Sequence, residues 1–450
     1  MLPKKTSLAI VTFAALVLLL NFTKLARPIS PSSMIDFHTG SSAKPEAPPA
    51  RQASNTPKLP SRPHSTAPNL IDDHEDLAAF YQALWRTESK LPGAITRILH
   101  YGDSPVTADS ITADVRSLLQ EHYGDAGHGF ILVAKPWAWY QHRGVDVFGK
   151  GWRIEPASQS RARDGFHGLG GVSFEGNPGA SSHFLLKEDH ARVEVNYLAQ
   201  LGGGLLRITA EGQWIGELDT SGPEKAPGFR AFALPAGARS IDLAVERGPV
   251  RLFGVSFERD GSGVIYNSLG LNGGQVQVVV RYFDKRQWTL ELQHERPDLV
   301  VLNYGTNESV YADYIERYYA GELREVISRV KAAVPNASVL VMSPMDRGQR
   351  DSSGQITTVP TLPRLVEIQQ KIAAETGCAF FNTFEAMGGE GTMGRWYESQ
   401  PRLVGADFMH PLPGGARKLG VLLDQALETG FRQYQARPER QADPVAEKRP

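Results

Sequence analysis

The chain has 450 residues, enough for two or three compact units, and hydrophobic residues make up 41% of it. Its 48 basic and 49 acidic side chains leave a formal net charge of -1, which favours neither a nucleic-acid-binding protein nor an acidic solvating protein. Cys378 is the single cysteine, so the sequence excludes an internal disulfide and a cysteine-rich zinc site. The composition therefore indicates a globular protein of ordinary charge.

Residues 1–27 have the pattern of a membrane-targeting segment. Two lysines precede an uncharged, largely apolar run over residues 6–23, and two further basic residues follow it. The run is close to the minimum of roughly 17 residues for spanning a bilayer, and the leading lysines favour a cytoplasmic N-terminus. We interpret it as an uncleaved signal anchor, with a cleaved signal peptide as the alternative. Both predict a periplasmic or extracellular protein, which the anchor would hold at the inner membrane.

Two segments have compositions that do not support a packed core. Residues 28–70 are rich in Pro, Ser and Ala, and residues 436–450 are similarly polar. Such segments bury too little apolar surface to offset the entropy of ordering the chain. We predict a disordered linker and a disordered C-terminal tail.

Strands and amphipathic helices alternate in two separate parts of the chain, residues 71–135 and 255–435. In the first part, Phe80, Tyr81 and Leu84 recur at helical spacing ahead of the strand-like segment AITRILHYG. In the second part, PDLVVLNYG and ASVLVMSP are continuously apolar, as expected where helices cover both faces of a parallel sheet. The alternation predicts one α/β domain, a three-layer sandwich with a parallel sheet.

Residues 136–254, between those two parts, have a different pattern. Glycine is frequent, helical periodicity is missing, and short segments such as RSIDLAVER alternate with period two. The stretch LLRITAEGQWIGELDT predicts a hairpin that turns at Glu211–Gly212. We predict an antiparallel β-sandwich module inserted into the α/β domain.

The triplet Gly-Asp-Ser that ends at Ser104 lies between a predicted strand and a predicted helix. Ligands bind at this carboxyl edge in open α/β sheets, and the helix N-terminus offers N–H donors to an oxyanion. Ser104 can therefore be a nucleophile. A serine followed by a proline, here Pro105, is also common at the start of a helix, where its side chain caps the backbone. The triplet alone leaves both interpretations open.

A serine nucleophile needs a base and a group that orients the base. Asp407 and His410 lie three residues apart just before the last predicted helix, a spacing that can put both on one side. Asp407 would then hold the imidazole of His410, while the other ring nitrogen faces Ser104. A surface pair without a catalytic role is the alternative, because this spacing is common.

Two predicted strand ends offer donors for an oxyanion hole, which stabilises the charge on a tetrahedral intermediate. Asn307 follows Gly305 at the end of one strand, and the adjacent glycines Gly273 and Gly274 follow the end of another. A glycine N–H can approach a ligand closely. Ordinary turns account for the same residues, so the interpretation as an oxyanion hole depends on the motifs around Ser104 and His410.

Taken in chain order, these four blocks resemble those of the SGNH/GDSL hydrolases, over most of the predicted α/β domain. The resemblance implies an SGNH-type fold with Ser104 as nucleophile, His410 as base and Asp407 as its partner. It also implies an oxyanion hole formed by the backbone N–H groups of Ser104 and Gly273 and by the side chain of Asn307. This chemistry requires no cofactor.

A Gly-Asp-Ser block, an inserted β-rich module and the later segments LNGG and YGTNE are similar in arrangement to the bacterial peptidoglycan O-acetylesterases. The resemblance implies an acetylated glycan as substrate and a carbohydrate-binding-like role for the module. Two departures stand out. Pro105 occupies the place of the leucine in the family name, and the module has no motif that matches residue by residue.

Other polar and aromatic groups give weaker signals. Five histidines lack metal-ligand spacing, so we assign no metal site; they are His122, His128, His142, His167 and His183. Four aromatic residues of the β-rich region can stack on sugar rings or pack within the module; they are Trp137, Trp139, Tyr140 and Trp152.

The sequence thus predicts an extracytoplasmic serine esterase that removes O-acetyl groups from a cell-wall glycan or another polysaccharide. Its expected partners are that glycan and, through the N-terminal segment, a membrane; nucleic acid is not expected. Two alternatives stay open. One is a polysaccharide O-acetyltransferase that uses the same residues, and the other is a non-catalytic glycan-binding protein.

Overall fold

The computed structural model describes residues 69–159 and 164–437. The predicted membrane-targeting segment, residues 1–27, lies outside these ranges and stays a prediction. The predicted linker, residues 28–70, and the predicted tail, residues 436–450, also lie outside them except for two residues each. Within the described ranges, no helix is both long enough and apolar enough to cross a bilayer.

The first described elements belong to the α/β part of the chain. The helical spacing predicted from the sequence is confirmed, since Phe80, Tyr81 and Leu84 on the first helix are at most 3% exposed. Leu70, the last residue of the predicted linker, already pairs with Phe381 at the edge of the sheet. The elements are β1 (Leu70–Ile71), α1 (Ala78–Glu88), β2 (Ile95–Gly102), α2 (Ser104–Thr107) and α3 (Thr112–Tyr123).

The middle of the chain is built from strands. The hairpin predicted at Glu211–Gly212 is confirmed, and both turn residues have positive φ angles of 50° and 72°, as a two-residue type I′ turn requires. The strands are β3 (Gly127–Ile131), β4 (Val145–Lys150), β5 (Arg153–Pro156), β6 (Val172–Gly176), β7 (Ser181–Leu186), β8 (Arg192–Ala199), β9 (Leu205–Ala210), β10 (Gln213–Asp219), β11 (Ala226–Ala233), β12 (Ser240–Arg247) and β13 (Val250–Glu258).

Strands and helices alternate again in the last part of the chain. A 3₁₀ turn at Glu308–Val310 and a π-helical turn at Ile315–Tyr319 interrupt the regular elements. Those elements are β14 (Gly263–Gly270), α4 (Val276–Tyr282), α5 (Lys285–Glu295), β15 (Leu299–Asn303), α6 (Ala312–Tyr314), α7 (Ala320–Ala333), β16 (Ser338–Met342), β17 (Gly348–Arg350), β18 (Ile356–Thr358), α8 (Leu362–Thr376), β19 (Ala379–Phe381), α9 (Thr383–Ala386), α10 (Thr392–Glu398) and α11 (Pro413–Gln435).

The α/β part contains a six-stranded sheet in the order β1-β19-β16-β15-β2-β14. All its pairings are parallel except that of β1 with β19. Every residue of β16 is buried, as expected for a sheet covered on both faces. The predicted α/β domain with a parallel sheet is therefore confirmed. Gly102 pairs with both Gly270 and Asn303, so the carboxyl ends of β2, β14 and β15 lie side by side.

The β-rich region forms two antiparallel sheets. One has the order β10-β9-β12-β7-β4, and the other has the order β11-β8-β13-β6-β5 with β3 also paired to β13. Residues of both sheets share one hydrophobic cluster, in which the rings of Phe184 and Phe257 lie 5.4 Å apart. The antiparallel pairing of β3 with β13 lies beyond the limits of 136 and 254 predicted for the module. That pairing joins segments far apart in sequence, so composition gave no sign of it.

Gly270, at the end of β14, lets α2 pack closely on the sheet. A Cβ atom at this position would lie 2.0 Å from the backbone nitrogen of Thr107, so Gly270→Ala requires the backbone to move. We expect Gly270→Ala to lower the melting temperature, as measured by thermal unfolding, and to lower the yield of soluble protein on expression.

Gly321→Ala on α7 is the matched control. A Cβ atom there meets no atom within 4 Å, and alanine should stabilise this exposed helical position by roughly 0.5–1 kcal/mol. A Gly270→Ala protein with the melting temperature of the parent would contradict the close packing of α2.

Candidate active site

Ser104 is the first residue of α2, immediately beyond the carboxyl end of β2. Its hydroxyl oxygen lies 2.7 Å from Nε2 of His410, and the residue is only 7% exposed. Asp103, not Ser104, is the N-cap residue, and Pro105 occupies the first turn of the helix. The Ser104 hydroxyl is therefore directed to an imidazole rather than to the helix backbone.

Asp407 holds His410 through two hydrogen bonds and the preceding residue, Met409, through a third. The Nδ1 atom of His410 lies 2.6 Å from one carboxylate oxygen of Asp407, and the other oxygen accepts the N–H groups of His410 and Met409, each at 3.1 Å. Burial works to raise the pKa of Asp407, but these hydrogen bonds hold it below its usual value. The carboxylate thus favours a proton on Nδ1, which leaves Nε2 able to accept the proton of Ser104.

The local fold of residues 404–411 brings Asp407 and His410 to one side. Val404 and Pro411 form an antiparallel bridge that closes the loop. Phe408 has a left-handed φ of 56°, which is unusual for an aromatic residue, and its ring packs at 88° against Tyr397, with centroids 4.9 Å apart. The ring contact of the partly buried Phe408 therefore helps to fix the loop that carries His410.

Asn307 and the glycine turn after β14 also meet. The side-chain amide of Asn307 donates to the carbonyl of Gly274 at 2.8 Å, and its second N–H remains available to a ligand. The backbone N–H of Gly274 donates to Leu271 at 2.8 Å. Gly273, with a positive φ of 67°, is therefore the better donor of the two glycines that the sequence offered.

Sequence reasoning singled out neither of two buried acids beside these residues. Glu308 accepts the backbone N–H of Val276 at 2.8 Å and that of Gly305 at 3.1 Å, one on each carboxylate oxygen. It thereby ties the turn after β14 to the turn after β15. Burial raises its pKa to about 8, although both N–H donors act in the opposite direction. The segment YGTNES held the signal, an acid directly after Asn307.

Asp103 is the second buried acid, adjacent to Ser104 and 2% exposed. Burial raises its pKa to about 6, while a hydrogen bond with Thr306 and the charge of protonated His410 act to lower it. Asp103 therefore places a second buried carboxyl group directly beside Ser104.

Ser104 and His410 open onto a cleft of about 830 Å³. The segment between β3 and β4 forms its opposite wall, and Arg143 fixes that wall. The backbone N–H of Arg143 donates to Asp109 at 2.8 Å, and its guanidinium donates to Asp114 at 2.7 Å. The cleft is therefore shaped jointly by the α/β part and the β-rich region.

The four aromatic residues considered for sugar stacking separate into two pairs. Trp139 and Tyr140 line the cleft, and Trp139 is 48% exposed. Trp137 belongs to the hydrophobic core, and Trp152 packs against it. Trp139 is thus the one of the four that presents a ring to a ligand.

Three histidines, two of them buried and the third partly buried, lie close together near the cleft. The ring of His128 lies 5.3 Å from that of His142 and 4.9 Å from that of His190, and burial lowers the pKa of each. Within residues 69–159 and 164–437, no group of three His, Cys, Asp or Glu residues is arranged to hold a metal ion.

Glu308→Gln tests the tie between the two turns. Glutamine offers one acceptor oxygen in place of two, so one backbone N–H loses its partner, at a cost of about 1–3 kcal/mol. We expect a lower free energy of unfolding and slower turnover of an ester substrate. Glu398→Gln, an exposed change at the end of α10, is the control and should leave both measurements unaltered.

The same variant has a pH signature. Because the folded-state pKa of Glu308 is raised from 4.5 to about 8, this carboxyl stabilises the fold at low pH, and its contribution is lost as the pH rises to about 8. Between pH 4.5 and about 8, the free energy of unfolding should therefore fall more steeply for the parent than for the Glu308→Gln protein. Urea denaturation at a series of pH values measures both slopes. Equal slopes would show that Glu308 keeps one charge state throughout.

Comparisons with known proteins find a related family over part of the chain. Residues 236–418 match the GDSL-like Lipase/Acylhydrolase family, a range that includes Gly273, Asn307, Asp407 and His410 but not Ser104. No curated protein matches the chain.

One solved structure shares the fold, and others are more distantly similar. A peptidoglycan O-acetylesterase is 22% identical with a TM-score of 0.67, over 79% of this chain and 96% of that one. A putative GDSL-like lipase from Parabacteroides merdae is 17% identical, with a TM-score of 0.29; the match covers 38% of this chain and 73% of that one. A family two carbohydrate esterase from Clostridium thermocellum, in complex with cellohexaose, is 12% identical, with a TM-score of 0.27; the match covers 64% of this chain and 100% of that one. Residues 236–418 therefore carry a GDSL-like lipase/acylhydrolase domain, a domain type of SGNH carboxylic ester hydrolases.

Proposed function

We propose that Ser104, His410 and Asp407 form the catalytic triad of an esterase that removes O-acetyl groups from a cell-wall glycan or another polysaccharide. The observation that carries the proposal is the unbroken chain of hydrogen bonds, 2.7 Å from Ser104 to His410 and 2.6 Å from His410 to Asp407. A serine, a neutral imidazole and a carboxylate in this order make the serine nucleophilic.

The reaction has two halves. The Oγ atom of Ser104 attacks the acetyl carbonyl carbon and gives its proton to Nε2 of His410. The tetrahedral oxyanion accepts hydrogen bonds from the backbone N–H groups of Ser104 and Gly273 and from the Asn307 side chain. As the bond between the carbonyl carbon and the sugar oxygen breaks, His410 gives its proton to that oxygen, which leaves as a free sugar hydroxyl. Water activated by His410 then attacks the acetyl-serine and releases acetate.

The wall of the cleft supports a glycan as the group that carries the acetyl ester. Trp139 presents a half-exposed ring beside the Ser104–His410 pair, and a ring of this kind stacks on the apolar face of a sugar. A peptidoglycan O-acetylesterase shares the fold. We further propose that the two antiparallel sheets form a sandwich module, inserted between the two parts of the hydrolase domain, which binds carbohydrate.

Replacing the nucleophile tests the esterase proposal. The Ser104→Ala protein should release acetate from O-acetylated peptidoglycan and from a small aryl acetate at least about 10³-fold more slowly than the parent. The matched control is Ser89→Ala, an exposed serine at the end of α1, which should keep the parent rate. Acetylated xylan, assayed in parallel, tests the class of polysaccharide.

Two outcomes would contradict the proposal: a Ser104→Ala protein as active as the parent, or a parent that turns over none of these esters. Transfer of acetyl to added chitooligosaccharide at the expense of hydrolysis would support the acetyltransferase alternative.

We also propose that the hydrolase domain acts outside the cytoplasm, because the charged and apolar pattern of residues 1–27 is typical of an export signal. Alkaline phosphatase joined after residue 70 should be active in bacterial cells, since this reporter folds in an oxidising compartment. The same fusion without residues 1–27 should be inactive. Equal activity of the two fusions would contradict export through this segment.

A further inference from the structure

One row of side chains crosses the five-stranded antiparallel sheet from edge to edge. The row consists of directly paired residues on β10, β9, β12, β7 and β4, namely Trp214, Thr209, Asp242, His183 and Phe148. Neighbouring residues on these strands point to the opposite face and are buried in the hydrophobic cluster; they are Ile208, Leu243, Phe184 and Val147. The row therefore lies on the outer face of the sheet.

Both ends of the row are exposed aromatic rings. Trp214 is 63% exposed and Phe148 is 56% exposed. The ring of Phe148 lies 6.1 Å from that of His183, tilted by 35°, and still leaves more than half of its surface open. Both end rings are therefore accessible to a ligand that stacks on aromatic side chains.

The middle of the row is polar and slightly concave. The Nδ1 atom of His183 lies 2.7 Å from one carboxylate oxygen of Asp242, and the Thr209 hydroxyl lies 3.5 Å from the other. A depression of about 360 Å³ opens here, with Ser181 and Arg207 also on its wall. The surface thus offers donors and acceptors between two apolar rings.

We propose that this outer face is a second carbohydrate-binding surface, which takes a linear polysaccharide of pyranose sugars with Trp214 and Phe148 as stacking residues. It rests on the proposed role of the antiparallel sheets in glycan binding, and it does not require the esterase chemistry. A pyranose ring has an apolar face that packs on an aromatic ring and a rim of hydroxyl groups that bonds to carboxylate, hydroxyl and guanidinium groups.

The spacing of the row selects a chain rather than a single sugar. Four inter-strand steps of about 4.8 Å separate Trp214 from Phe148, so the two rings lie about 19 Å apart across the sheet. One sugar cannot contact both. A polysaccharide lying across the strands contacts both rings and passes over Asp242 and Thr209 between them.

The polar centre also distinguishes a glycan from a protein partner. The side chains of Asp242 and His183 are 41% and 36% exposed. Placing such a half-exposed charged group under a dry protein interface costs desolvation, whereas hydroxyl groups and bridging waters keep its hydrogen bonds. We therefore assign the surface to a sugar polymer.

The surface leads towards the active-site cleft. Its row ends at Phe148 on the edge strand β4, and the two preceding residues, Asp146 and Val147, line the cleft that contains Ser104. A polysaccharide held along the row therefore has its next units beside the cleft.

The test measures binding in the Ser104→Ala background, so that ester cleavage does not alter the ligand. The probes are purified peptidoglycan sacculi, measured by co-sedimentation, and chitohexaose, measured by titration calorimetry. Trp214→Ala together with Phe148→Ala should weaken binding to the sacculi at least tenfold, and the single Trp214→Phe change should keep most of it. Melting temperatures close to that of the parent would show that these exposed changes leave the fold intact.

Two matched controls separate stacking from the loss of any exposed apolar group. Tyr318→Ala removes an exposed ring from the α/β part, and Leu201→Ala removes an exposed side chain from the β-rich region. Both should bind as the parent does. Parent protein that binds neither probe, or a double variant that binds both as the parent does, would overturn the second surface. Failure of the esterase proposal would give a different result, namely equal rates of ester cleavage by the parent and by the Ser104→Ala protein.

Discussion

The hydrogen bond between Ser104 and His410 joins residues that are 306 positions apart, and catalysis of the proposed kind needs both held to within about 0.5 Å. Ser104 is fixed because α2 follows a central strand directly. His410 is fixed by Asp407 within its own short loop. The helix that follows this loop then docks on α3 at Gly420, where a Cβ atom would lie only 2.9 Å from that of Asp114. Two locally rigid units are thus brought together by one close helix contact.

The side of the site that we propose as the oxyanion hole is organised by a buried acid rather than by apolar packing. An apolar side chain in place of Glu308 would avoid the desolvation of a carboxyl group, which raises its pKa to about 8. It would also leave the N–H groups of Gly305 and Val276 without their acceptor. Those N–H groups belong to the turns that carry Asn307 and Gly273. The buried acid therefore fixes the positions of these two residues, at a cost in the free energy of folding.

Local patterns predicted the parallel sheet, because strands covered on both faces are continuously apolar, and they predicted the hairpin at Glu211–Gly212 from its turn residues. Ser104 could be singled out because it follows such a strand, and Asp407 and His410 because they lie three residues apart just before the last helix. Glu308 was missed, since its role depends on a backbone N–H group 32 residues away. The pairing of β3 with β13 and the row from Trp214 to Phe148 were missed for the same reason, because both depend on strand register.

Under the proposed functions, the cleft and the outer sheet face would make different demands on one polysaccharide. A cleft that holds an acetyl group must release the glycan after each cleavage, so tight binding there would slow turnover. A separate surface can supply affinity without contacting the ester. While the polysaccharide stays bound there, its remaining acetyl groups are at a high effective concentration near the cleft. Strand β4 carries residues of both regions, which fixes their separation. Binding and cleavage can therefore be tuned independently along one rigid strand.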